Sequence, residues 1–82
     1  MSNPFPAMKP SELLRVLGRL GYGEQMPRTS GSHRWLVADG RPRLLWAFHP
    51  SVTSIGPVMV RKVLVKDVGL TPSEALEAIR RG

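Results

Sequence analysis

The chain has 82 residues, with twelve Lys plus Arg against six Asp plus Glu, a formal net charge of +6 and a pI of about 11.2. That length supports one small domain, which argues against a deep catalytic cavity and for a shallow surface site. The absence of cysteine excludes disulfides and thiolate chemistry, and the basic excess favours a polyanion or an acidic protein as partner.

No stretch reaches the roughly 20 apolar residues of a membrane span. Residues 1–7 have neither the basic nor the apolar region of a signal peptide. A cytoplasmic protein without membrane contact is therefore expected.

Residues 1–8, with Pro4 and Pro6, are expected to form a flexible tail, and residues 9–82 the folded domain. Pro10 suits the first position of a helix. Leu13, Leu14, Leu17 and Leu20 follow at helical spacing, and Gly21 is a natural stop. Residues 22–28 read as a short edge strand, since Pro27 cannot donate to a ladder. Residues 29–32 read as a turn, residues 33–38 as a strand, and Asp39-Gly40 as a tight hairpin turn. Residues 43–48 are the expected partner strand, and residues 50–56 a loop.

Pro57 opens a second helix whose apolar face is Val60, Val63, Leu64 and Val68, and Gly69 ends it. Thr71-Pro72-Ser73-Glu74 is a capping box for a short third helix carrying Ala75, Leu76 and Ile79 inward. The order is α-β-β-β-α plus a short extra C-terminal helix. Segregated helices and an antiparallel meander make an α+β two-layer sandwich, with the first two helices on one face of the sheet.

The six acids Glu12, Glu24, Asp39, Asp67, Glu74 and Glu77 form no paired-carboxylate pattern of a two-metal nuclease. Nor is there a glycine-rich phosphate loop. No metal and no cofactor are expected. Metal-free RNA cleavage needs less, because RNA carries its own nucleophile, the 2′-OH. The protein must help remove that proton, stabilise charge on phosphorus and protonate the leaving 5′-oxygen. Histidine, with an unperturbed pKa of about 6.5, suits proton transfer. Arginine suits the phosphate through its two parallel donors.

The corner Thr29-Ser30-Gly31-Ser32 delivers His33 and Arg34 to the start of an apolar run. Adjacent strand residues point to opposite faces, so the two serve one phosphate only if His33 keeps turn geometry. The residues alone leave His33 two roles, capping the turn or moving a proton. His49 either ends a strand or is the second proton-transfer group. Trp35 and Trp46 either fill the core or stack on bases. Arg28, Arg43, Lys62 and Lys66 are either a phosphate-contacting surface or ordinary solvated charges.

Several segments, taken in order, resemble the HicA toxins, small endoribonucleases of toxin–antitoxin modules. The likeness spans residues 8–71. It begins with Ser11-Glu12-Leu13-Leu14 and Leu20-Gly21-Tyr22, continues through Gly31-Ser32-His33, which matches the family's Gly-Ser-His-His signature, and through Phe48-His49-Pro50. It ends with the segment from Val60 to Thr71, which looks like the family's terminal helix. The resemblance implies a double-stranded-RNA-binding-domain-like fold and metal-independent cleavage of mRNA that blocks translation. It also implies a HicB-like antitoxin as partner. The free chain is expected to be a monomer. By position the resemblance makes His33 the catalytic histidine. Arg28, Gly31, Ser32, Arg34, Arg43, His49, Lys62 and Lys66 are the expected RNA-binding residues. The chain departs from the family at Arg34, where the second histidine of the signature stands. A non-catalytic RNA-binding module of the same fold is the alternative reading.

Overall fold

A helix, a three-stranded antiparallel meander and two further helices follow one another in the computed structural model, which describes residues 3–25, 34–48 and 51–81. Helix α1 is Pro10–Arg19, and strands β1, β2 and β3 are Gly23–Glu24, Arg34–Ala38 and Arg41–Trp46. Helix α2 is Pro57–Arg61, continued by a π-helical segment at Lys62–Asp67, and α3 is Pro72–Arg80. The molecule is a small α+β fold.

Pro10 opens α1, and the Glu12 carboxylate accepts the Lys9 backbone N–H at 3.0 Å. The helix stops as the sequence predicts. Gly21 takes φ +101°, open to glycine but strained for other residues. The Tyr22 N–H then reaches back to the Leu17 carbonyl at 3.0 Å, and the Gly21 N–H to that of Gly18 at 3.1 Å. This pair of bonds satisfies carbonyls that the helix end would leave unpaired.

The sheet order is β1-β2-β3, with Glu24 opposite Leu36, Leu36 opposite Leu44, and Arg34 opposite Trp46. Leu36, Leu44 and Trp46 are buried and share one core with Leu13, Leu17, Val60 and Leu64. The helices therefore cover one face of the sheet. Trp35 lies opposite Leu45 on the other face, where Leu45 and Val37 are exposed.

Strand β3 begins immediately after Asp39-Gly40, two residues before the expected start, and ends at Trp46 rather than residue 48. Its register explains the shift. Leu36 faces Leu44, but the next pair is Ala38 with Arg41, so Val37 alone opposes Pro42 and Arg43. Such a bulge on an edge strand accommodates a proline, because no ladder donor is lost there. Strand β1 is shorter than residues 22–28, although the Gln25 N–H still bonds the Trp35 carbonyl at 2.8 Å. Residues 26–28 of that expected strand, and residue 33 of the next, lie outside the described residues.

The expected flexible tail is corrected over residues 3–8. Phe5 is 3% exposed, Met8 is buried, and Met8 pairs with Ile55 through two backbone hydrogen bonds of 3.0 and 2.7 Å. An apolar ring in the core outweighs the two flanking prolines, which themselves remain exposed.

Helix α2 begins at Pro57, and Val60, Val63, Leu64 and Val68 are all buried, as the spacing predicts. Its second half widens, with the Val68 N–H bonding the Val63 carbonyl at 2.9 Å, five residues back. The capping box of α3 forms in full: Thr71 Oγ1 accepts the Glu74 N–H at 3.1 Å, and Glu74 Oε1 accepts the Thr71 N–H at 2.9 Å. Ala75 and Ala78 are the buried residues of α3, while Leu76 and Ile79 pack half-buried at the core margin. Among the described residues, no helix is long and apolar enough to cross a membrane.

Candidate nucleic-acid interface

The predicted site residues divide between described and undescribed parts of the chain. Arg28, Gly31, Ser32, His33 and His49 lie outside the described residues. Arg34, Arg43, Lys62 and Lys66 are described, and they belong to different layers.

Arg34 opens β2 and shares the helix-facing side of the sheet with Leu36. Its guanidinium lies 4.0 Å from the Glu24 carboxylate, which is opposite Leu36 on the neighbouring strand. Both side chains are about a third exposed, so the contact is a screened pair at the margin of the core.

Arg43 is on the other face. Its guanidinium carbon lies 4.3 Å from the centre of the Trp35 ring, within the range of a cation–π contact. Arg43 shares this face with Leu45 by ordinary alternation, and the bulge at Pro42 and Arg43 reverses the alternation for Arg41. Arg41, two residues earlier, turns to the helix side and donates from Nε to the Leu20 carbonyl at 3.2 Å. The two tryptophans divide likewise. Trp46 is buried and meets Phe48 edge-on at 4.9 Å, whereas Trp35 stays partly exposed beneath Arg43.

Lys62 and Lys66 stand on the solvent side of the π-helical segment. The wide turn brings residues five apart together, and Lys62 Nζ donates to Asp67 Oδ2 at 3.2 Å. The lysines therefore belong to the helix layer and Arg43 to the open sheet face, so the structure does not join them on one surface.

A further cluster was not a sequence candidate. A cleft of about 450 Å³ lies between the end of α1, the start of β3 and α3, with Arg19, Arg41 and Arg81 at its walls. Glu74 and Glu77 line it too, and Glu77 pairs with Arg81 at 3.5 Å and with Arg80 at 3.8 Å. The two carboxylates offset two of the three arginines. The sequence signal for it was the Asp39-Gly40 turn, which starts β3 at Arg41.

No family model matches this chain, and no curated protein or solved structure matches it significantly.

Proposed function

We propose that this chain is an RNA-acting toxin of the HicA kind, with a double-stranded-RNA-binding-domain-like sandwich. It is a metal-independent endoribonuclease that cleaves mRNA in the cytoplasm, and a HicB-like antitoxin neutralises it. One observation carries the reading: Gly31-Ser32-His33 immediately precedes β2, the central strand of an α-β-β-β-α chain whose net charge is +6. The three-stranded meander flanked by helices is compatible with that sandwich.

In this reading the His33 imidazole moves the proton of the 2′-OH. The 2′-oxygen attacks the adjacent phosphorus, the bond to the 5′-oxygen breaks, and a proton goes to that oxygen. His49 is the candidate second group for the proton. Arginine donors offset the charge that develops on the phosphoryl oxygens.

Arg34 favours a second reading, a non-catalytic RNA-binding module. It stands where the family's second histidine does, and its guanidinium leans toward Glu24. Induced expression of wild type and His33→Ala, with growth and mRNA integrity followed together, separates the two. Arrest with mRNA decay in wild type alone supports the nuclease. Arrest in both removes His33 from the mechanism. Absence of arrest from two folded proteins that still bind RNA supports the module.

A further inference from the structure

The open face of the sheet carries a feature that the proposed chemistry does not use. Among the described strand residues it presents Trp35, Val37, Arg43 and Leu45, and none of these is acidic. Leu45 is 49% exposed and Val37 37%. Among the described residues, no helix covers them. The nearest strand carboxylate, Glu24, lies opposite Leu36 and so belongs to the helix side. Among the described residues, this is an aromatic and apolar floor topped by a single cation, and on a protein of net charge +6 it suits a polyanion with flat apolar groups. Single-stranded RNA has that chemistry.

We infer that Arg43 and Trp35 form a stacking platform for one base of single-stranded RNA, ordered indole, guanidinium, base. The inference rests on the reading of this chain as RNA-acting. Trp35 supports the guanidinium from below at 4.3 Å. The guanidinium is planar, so its outer side offers a surface on which a base stacks, while its edge donors remain directed outward to a phosphate. Alternation with Leu45 places this arginine on the open face, and the bulge beyond it sends Arg41 to the helix side. Lysine in place of Arg43 keeps the charge and loses the plane.

The test is fluorescence anisotropy with a labelled, single-stranded 2′-O-methyl RNA of mixed sequence. This probe lacks the 2′-nucleophile and is not cut by the proposed reaction. Wild type, Arg43→Lys, Arg43→Ala and Trp35→Leu are compared over a salt series, after circular dichroism has established that each is folded. The platform predicts that Arg43→Lys and Trp35→Leu each weaken binding by roughly fivefold or more. Both keep the wild-type salt slope, and Arg43→Ala lowers that slope by about 0.7. Wild-type affinity in folded Arg43→Lys and Trp35→Leu overturns the platform while leaving RNA binding intact, and turns attention to an acidic protein as occupant of this face. Failure of wild type itself to bind overturns the platform together with the RNA-acting reading. Because Arg43 is exposed, Arg43→Lys remains informative even if Trp35→Leu does not fold.

Discussion

Arg41 and Arg43 stand two residues apart on β3 and serve opposite faces of the sheet. In a regular strand such residues share a face. Here Val37 opposes two residues, Pro42 and Arg43, and the extra one reverses the alternation. Arg41 thus reaches the Leu20 carbonyl at the end of α1, where a cation also complements the helix dipole. Arg43 lies over Trp35.

The division is testable by substituting each arginine with alanine. Each change is expected to cost about 0.5–1 kcal/mol, from a side-chain hydrogen bond in one case and an exposed cation–π contact in the other. The spectral signatures differ. Arg43→Ala shifts the Trp35 indole N–H resonance and leaves that of Trp46 in place, whereas Arg41→Ala moves neither indole and perturbs the amides after Leu20. A Trp35 indole that moves equally in both variants contradicts the two-face arrangement.

Tyr22 ties the end of α1 to the same bulge, its hydroxyl donating to the Pro42 carbonyl at 2.6 Å. Tyr22→Phe removes that bond and is expected to cost about 1 kcal/mol at neutral pH. Burial pushes the phenol above its usual range, with Arg41 pulling weakly the other way. A raised folded value means that this contribution is fully present below the unfolded phenol value of about 10 and is lost as pH rises through the folded value. With one tyrosine in the chain, a near-ultraviolet absorbance titration reads it directly. Titration at or below the free-phenol value runs against the buried hydrogen bond.

The sequence was most legible where local chemistry decides structure. Pro10, Gly21, Pro57, Gly69 and the Thr71–Glu74 box mark helix ends, and the structure has helix ends there. It was least legible where the outcome depends on distant partners. The expected partner strand, residues 43–48, starts only after Pro42, because nothing local reveals that a bulge will seat that proline. The π-helical register of Lys62–Asp67 leaves the valine pattern unchanged, so a 3.6-residue period reads it as α-helix. Trp35 and Trp46 look alike in sequence, and only the register opposite Leu45 and Arg34 assigns one to the open face and one to the core. On the candidate site, residue type and order suggested His33, but could not show that Arg43 and Lys62 belong to different layers.

Phe5 provides a direct test of the docked N-terminal segment. A loose tail predicts that Phe5→Ala changes stability by almost nothing. A ring 3% exposed in the core predicts a loss of about 3–5 kcal/mol. Small domains have only about 5–15 kcal/mol in total, so this loss brings the protein close to unfolding. Urea denaturation of the two proteins measures it, and a difference under about 0.5 kcal/mol, the range of ordinary surface substitutions, defeats the docking.

The cap of α3 links stability to acid. Thr71→Ala removes the hydroxyl that accepts the Glu74 N–H and is expected to cost about 1 kcal/mol. The Glu74 carboxyl is held below the usual carboxylate range, first by the hydrogen bond from the Thr71 backbone N–H and then by the Thr71 side chain. A depressed folded value places the stabilisation above the unfolded Glu value of about 4.3, and it disappears as pH falls through the folded value. Glu74→Gln keeps an acceptor and removes the charge. Wild type is therefore expected to exceed Glu74→Gln in stability at pH 7, with the gap closing as the solution is acidified below the folded value. Denaturation series at the two pH extremes, with an NMR titration of the Glu74 carboxyl, check both parts. A gap that stays constant across the acid range assigns the cap's strength to hydrogen bonding without charge.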